Sequence, residues 1–330
     1  FADVRQQYGS LLALSNRLSE SEDTLREALK LNPLYSSATE DLVRVLQWQD
    51  RGAEAQVIKQ KAVDLGIFPA VDFRPGTYNK DLPVEPIWTS TPFSAPSKIP
   101  RYMSYPCLDN FVSALRDNAG SIKKEFLEWR SDSPREFHLD KFGYADPTIR
   151  GGEWQEWYIW PSDPFLNDFH SASERKDVSS NKNGSDCNSR TPITCEVLRK
   201  LGVKDWDSSG RATMYEAMVN PGSINVMNAR FSVVGPKGHL RPHVGPSNYK
   251  LAMHLPIVVP ADESGGHGSH VRVKDQIEPF IEGEPMIFDD TFEHEVWNHA
   301  NESRVTLWIF FSKPELTACG GAQAQDRTEF

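Results

Sequence analysis

His243 and His294 stand 51 residues apart, and Arg304 follows the second by ten. Ser232 and His254 flank the first on either side. Neutral imidazole suits a divalent first-row metal such as Fe(II), and two such ligands leave positions open for a cosubstrate and oxygen. An arginine offers a planar fork that takes a carboxylate bidentately. A jelly roll that binds ferrous iron uses this order: a first His, a second His, then a basic residue on the following strand. The usual centre adds an Asp or Glu two residues after the first His. Gly245 stands at that position, so the ordinary triad is incomplete.

Such residues need strands to hold them. From residue 212 onward, Gly and Pro separate short strands expected at 227–234, 250–259, 270–273, 284–289 and 303–312. Within 250–259, Leu251, Met253, Leu255, Ile257 and Val259 take one face, and Lys250, Ala252, His254 and Val258 the other. A Lys and a His on one face fit a barrel interior that holds a polar ligand. Arg304, Thr306, Trp308 and Phe310 share a face of 303–312, as do Asn228, Arg230, Ser232 and Val234 of 227–234. This run of strands predicts a sandwich, barrel or jelly roll rather than a parallel sheet.

Upstream the pattern changes. Residues 1–70 place Leu11, Leu12, Leu14, Leu18, Leu25, Leu29 and Leu31 at helical spacing, with Ser19 and Ser21 as candidate N-caps. Pro33 and Pro69 close two similar stretches 36 residues apart, near the 34-residue tetratricopeptide period. An unrelated amphipathic bundle is the alternative. A Pro-, Ser- and Thr-rich connector is expected over 71–106, and a helix over 108–129. An aromatic strand is expected from Trp154 to Trp160, its tryptophans in the core, and an exposed polar insertion over 171–190.

The 330 residues carry 36 Lys and Arg against 46 Asp and Glu, a net charge of −10. That balance argues against nucleic-acid or anionic-membrane partners, which call for basic surface. No apolar run approaches the length of a membrane span. The chain starts at Phe1 rather than Met, and is expected to be a fragment whose anchor or further repeats lie upstream.

The stretch from Ser232 through His243-Val244-Gly245-Pro246-Ser247-Asn248 to Met253-His254-Leu255, followed by Met286-Ile287-Phe288-Asp289-Asp290-Thr291-Phe292-Glu293-His294-Glu295-Val296-Trp297, resembles the aspartyl/asparaginyl β-hydroxylases. The match is strongest over 226–316. These are Fe(II)- and 2-oxoglutarate-dependent oxygenases of the double-stranded β-helix fold, whose members bind iron with two histidines and no carboxylate. Bacterial lipid A hydroxylases of the same superfamily look similar. The resemblance implies an α+β multidomain chain, with tetratricopeptide-like repeats over 1–70, the connector over 71–106, an oxygenase domain over 107–316 and a tail over 317–330.

It further implies roles. His243 and His294 would hold the iron, and Arg304 and Ser232 the distal carboxylate of 2-oxoglutarate, with His254 at its other carboxylate. Lys250, Arg150 and Glu156 fall at substrate-contacting positions. Lys250 and Ala252 replace family arginines, and Glu156 replaces an amide. Asp289 and Asp290, with Glu293 nearby, are candidates to orient an imidazole, or simply turn acids. His239, His267, His270 and His299 fit no role and are expected to be exposed.

The expected reaction consumes 2-oxoglutarate and O2, releases succinate and CO2, and hydroxylates the β-carbon of Asp or Asn in a protein substrate, with EGF-like domains the family precedent. A lipid, small molecule or other peptide is the alternative substrate, and a non-catalytic jelly-roll binding module the alternative class. The family has a cysteine pair near Cys187 and Cys195, which implies a disulfide and an oxidising compartment. Cys107 and Cys319 have no evident partner in the sequence. The sequons Asn183-Gly184-Ser185 and Asn301-Glu302-Ser303 agree with the secretory route. The expected location is the endoplasmic reticulum lumen or secretory pathway, with membrane anchorage through a missing segment; the cytoplasm is the alternative.

Overall fold

The structure, a computed structural model, describes residues 1–89, 101–132, 148–159, 191–200, 224 and 226–317. Four helices open the chain: α1 (Ala2–Leu14), α2 (Leu18–Leu31), α3 (Ser36–Trp48) and α4 (Gly52–Asp64). Each packs on the next, and α3 starts 34 residues after α1, as α4 does after α2. Their shared core is built from Ala13, Leu25, Ala28, Ala38, Leu42, Val43, Val45, Leu46, Trp48 and Ala55. Small residues at the crossings allow close approach. A Cβ at Gly9 would meet the Leu25 side chain at 2.8 Å. The expected caps at Ser19 and Ser21 do not form, because α2 begins earlier, after a left-handed turn at Asn16. Ser21 is buried instead and donates to the Gly9 carbonyl at 2.7 Å.

The segment after α4 runs along the rest of the molecule through isolated bridges, Phe73 with Phe292, Thr77 with Ser247 and Ile87 with Phe288. The long helix α5 (Pro106–Asp132) extends the helix expected over 108–129. Its buried stripe, including Phe111, Leu115, Ile122 and Phe126, covers the outer face of one sheet. A short helix, α6 (Pro192–Lys200), is seated on α5. Glu125 accepts from the Thr194 amide at 2.9 Å and its hydroxyl at 2.7 Å, which satisfies donors at the start of α6.

Among the described residues, ten strands form two five-stranded antiparallel sheets. Sheet I orders β2 (Trp154–Tyr158), β3 (Val226–Val234), β10 (Arg304–Ser312), β5 (Lys250–Val258) and β8 (Met286–Phe288). Sheet II orders β1 (Ile149–Arg150), β4 (His239–His243), β9 (His294–Asn298), β6 (Ser269–Val273) and β7 (Gln276–Pro279). From β3 to β10 the chain passes back and forth between the sheets. That winding defines a double-stranded β-helix, a jelly roll with both strand sets facing one interior.

In β5, Leu251, Met253, Leu255 and Ile257 join the core under α5 and Ala252 faces the interior with Phe280, Met286 and Phe288, but an irregularity opposite Val305 reverses the end of the expected pattern: Val258 packs on the core under α5 and Val259 on the interior. Cys195 is disulfide-bonded; Cys187 lies outside the described residues, as do Trp160 and the polar insertion. Cys107 is also disulfide-bonded, which corrects the reading that it lacks a partner.

Sheet II meets the helices through Glu293, which is buried. Gln47 of α3 donates to it at 2.9 Å, Lys59 of α4 pairs with it, and the Arg74 guanidinium lies at 3.1 Å. Burial alone would push this carboxyl up. The Lys59 and Arg74 charges, with hydrogen bonds from Lys59 and Gln47, outweigh it and hold the group at about 2. A depressed carboxyl adds stability above its unfolded value near 4.5 that is lost as pH falls toward 2. The contribution is about 3 kcal/mol. Urea unfolding of Glu293→Gln across this range is expected to lack that acid-side loss; curves parallel to wild type would refute it.

Candidate active site

His243 ends β4 and His294 starts β9, directly opposite in the ladder. Their ring centroids lie 4.1 Å apart. Each ring is held the same way. Nδ1 of His243 donates to the Arg241 carbonyl at 2.7 Å, and Nδ1 of His294 to the Phe292 carbonyl at 2.9 Å. This fixes both tautomers with the Nε2 lone pair as the ligand atom. Burial pushes the His294 imidazole well below its usual range, and the neighbouring His243 adds to this. The ring is therefore neutral and ready to ligate at ordinary pH.

Sheet I presents its polar face across the interior. Arg304 is fully buried. Its Nη1 donates to the Thr306 hydroxyl at 2.8 Å, while Nε and Nη2 have no hydrogen-bond partner among the described residues. Desolvation, with no compensating carboxylate, drags the guanidinium down to about 9. A buried cation in this state calls for an anion. Ser232 lies beside Thr306 across the ladder and accepts from the Trp154 indole at 3.1 Å, which leaves its own proton to donate.

His254 completes this wall. Its ring stacks on Phe280 at 5.7 Å, and the Arg304 guanidinium lies over the same phenyl at 4.8 Å. Phe288 touches both His254 and His294, each at 5.3 Å. The His254 Nδ1 has no hydrogen-bond partner. Burial first, then the charges of Arg304, Arg230 and His243, pushes its basicity well down. His254 thus meets a ligand as a neutral group.

Other expected site residues fall differently. Lys250 is buried, but its ammonium pairs with Asp290 and lies 3.6 Å over the Phe310 ring. Glu156 lies in the interior, 3.1 Å from the Arg230 guanidinium, which stacks 3.7 Å over Trp308. Arg150 is exposed and pairs with Asp50 in the turn between α3 and α4. Asp289 pairs with Lys313 at 2.7 Å and bonds Thr291, so it orients no imidazole. His267 and His299 are exposed as expected, whereas His239 and His270 are half-buried. Arg230, Thr306, Phe280 and Phe288 were not singled out as site residues. Only the alternation of β3 and β10 signalled the first two.

Gly245 has a direct explanation. A Cβ there would lie 2.2 Å from a carboxylate oxygen of Asp290. The Gly245 amide also donates to the Asp290 carbonyl at 2.6 Å. The space that a third protein ligand would use is filled by Asp290, whose Oδ1 lacks a hydrogen-bond partner.

Two imidazoles of fixed tautomer and a guanidinium without a carboxylate partner among the described residues therefore line the interior of one double-stranded β-helix. The aspartyl/asparaginyl beta-hydroxylase family model matches residues 116–314, and the chain belongs to that family. It is 39% identical to the human aspartyl/asparaginyl beta-hydroxylase over 96% of this chain. It spans about a third of the length of the human and mouse relatives, 34% and 35%. A Rhizobium tropici ornithine lipid ester-linked acyl 2-hydroxylase is 42% identical over 26% of this chain and 30% of that protein. A Pseudomonas putida prolyl-4-hydroxylase structure is 15% identical, covering 62% of this chain and 98% of its own, with a TM-score of 0.31.

Arg304→Met is expected to stabilise the protein by about 1–3 kcal/mol in denaturant unfolding, because it removes an unpaired buried charge. A loss of similar size would show that the charge is already balanced. Gly245→Asp is expected to cost about 1–3 kcal/mol through overlap with Asp290. It should also weaken Mn(II) binding; tighter binding in calorimetry would overturn the exclusion argument.

Proposed function

We propose that this chain is an Fe(II)- and 2-oxoglutarate-dependent hydroxylase. The observation that carries the reading is the pair of imidazoles oriented through Nδ1, together with the Arg304 guanidinium, two of whose nitrogens lack a hydrogen-bond partner among the described residues. When bound, iron, 2-oxoglutarate and O2 supply oxidative decarboxylation to succinate and CO2, coupled to insertion of one oxygen atom into a C–H bond. His243 and His294 hold the metal through Nε2. Arg304 and the Ser232 hydroxyl bind the distal carboxylate of the cosubstrate, and His254 contacts its other end. Asp290 Oδ1, which has no hydrogen-bond partner among the described residues, can accept from a water that enters the site. Phe280 and Phe288 exclude bulk water and keep the electrostatics strong.

The substrate is a protein bearing Asp or Asn, hydroxylated at the β-carbon, with EGF-like domains the first to assay. The human relative's name and its coverage of the chain support that choice. A lipid substrate is the second reading, supported by the Rhizobium relative and by Ala252 and Lys250, which leave fewer free guanidinium groups for an acidic side chain. The helices over 2–64 we read as two tetratricopeptide-type repeats on their 34-residue spacing, joined by the connector to the oxygenase domain. The disulfides at Cys107 and Cys195 support an oxidising, secretory location. No described helix is long and apolar enough to cross a membrane.

The purified chain is expected to release succinate with an acidic peptide under Fe(II), 2-oxoglutarate and O2. His294→Ala should lower that rate at least about 100-fold. Unchanged turnover would reject the metal assignment. Succinate coupled to ornithine lipid but not to any Asp or Asn peptide would favour the lipid reading.

A further inference from the structure

The carbonyls that orient the two imidazoles belong to residues which the helical region and its connector hold in place. His243 donates to the carbonyl of Arg241, and the Arg241 guanidinium donates to the Trp48 carbonyl at the end of α3. His294 donates to the carbonyl of Phe292. Phe292 bridges to Phe73 of the connector and packs on its ring at 4.9 Å. The next residue, Glu293, is the buried carboxylate gripped by Gln47, Lys59 and Arg74. Its amide donates to the Asp72 carbonyl at 2.8 Å, and Arg74 is fixed in turn by Glu40 of α3 at 2.7 Å.

We infer that α3 and α4 are part of the metal centre, with Lys59 and Gln47 as positioning residues for His294 and the Arg241–Trp48 contact doing the same for His243. The inference rests on the reading of these histidines as metal ligands. An imidazole ligand binds well only when its ring plane and lone pair are preset. Two short strand ends, β4 and β9, provide little constraint by themselves. The helices supply the missing constraint through the Gln47 and Lys59 side chains, which hold Glu293, and through the Trp48 carbonyl, which holds Arg241. A helical region that served only to recruit substrate would need no buried ion cluster one residue from a ligand.

The test is Co(II) binding to the full chain, followed by calorimetry and by the visible ligand-field spectrum, with thermal melts as the control for folding. Lys59→Met is expected to weaken Co(II) affinity about 10-fold and alter the spectrum, and Lys59→Arg to restore both. Gln47→Ala, a milder change, should shift both in the same direction and serves if Lys59→Met does not fold. Lys123→Met removes an exposed ion pair between α5 and Glu282, which includes none of the residues that hold His243 or His294, and should leave Co(II) binding unchanged. Wild-type affinity and spectrum in folded Lys59→Met or Gln47→Ala would overturn the inference while leaving the metal site standing. Wild-type Co(II) affinity in His294→Ala would instead overturn the ligand assignment itself.

Discussion

Arg304 is fully buried, and two of its guanidinium nitrogens have no partner. Few arrangements in a folded protein are as unfavourable, since a desolvated charge with no counterion costs several kcal/mol. The surrounding groups are arranged around that cost. Thr306 takes one donor, Phe280 lies beneath the cation, and His254 stays neutral on the same phenyl. None of them neutralises the charge. The interior is complete electrostatically only when an anion enters it, so anion binding and folding stability are linked quantities in this molecule.

The contrast with the other buried charges is instructive. Lys313 is paired with Asp289, Lys250 with Asp290, and Glu293 with three cations, counting Arg272 at 3.4 Å. These are balanced internally and fasten loops and helices to the jelly roll. Of these four buried charges, Lys313, Lys250, Glu293 and Arg304, only Arg304 lacks an opposite charge among the described residues. Balanced charges mark architecture here, and the unbalanced one marks the ligand site.

Legibility in the sequence followed the length and regularity of the elements. The nine-residue strands β3, β5 and β10 alternate over most of their length, which makes their inward residues legible, but the pairing irregularities at Val305 and Phe310 leave no local signal, and the faces of Val258 and Val259 are reversed. The strands β4, β7 and β9 have four or five residues, and β4 carries Pro242, so no periodicity identifies them. His243 and His294 were legible through their family context rather than through a strand pattern. Phe280 and Phe288 look like ordinary core residues in sequence, and only the coordinates place them against imidazoles. Lys59 and Glu293 are separated by 234 positions, and nothing local signals that they meet. The space beside Gly245 also required coordinates, because the atom that fills it comes from a residue 45 positions later.

The Gly245–Asp290 arrangement bears on how such a centre could change over generations. A carboxylate at 245 overlaps the one at 290. A neutral residue at 290 strands the ammonium of Lys250, which is itself buried. Either step alone is worse than the starting point, and a workable three-ligand centre needs changes at 245, 290 and 250 together. Positions 245, 290 and 250 are therefore coupled, and a carboxylate enters at 245 without overlap or a stranded charge only when all three change together.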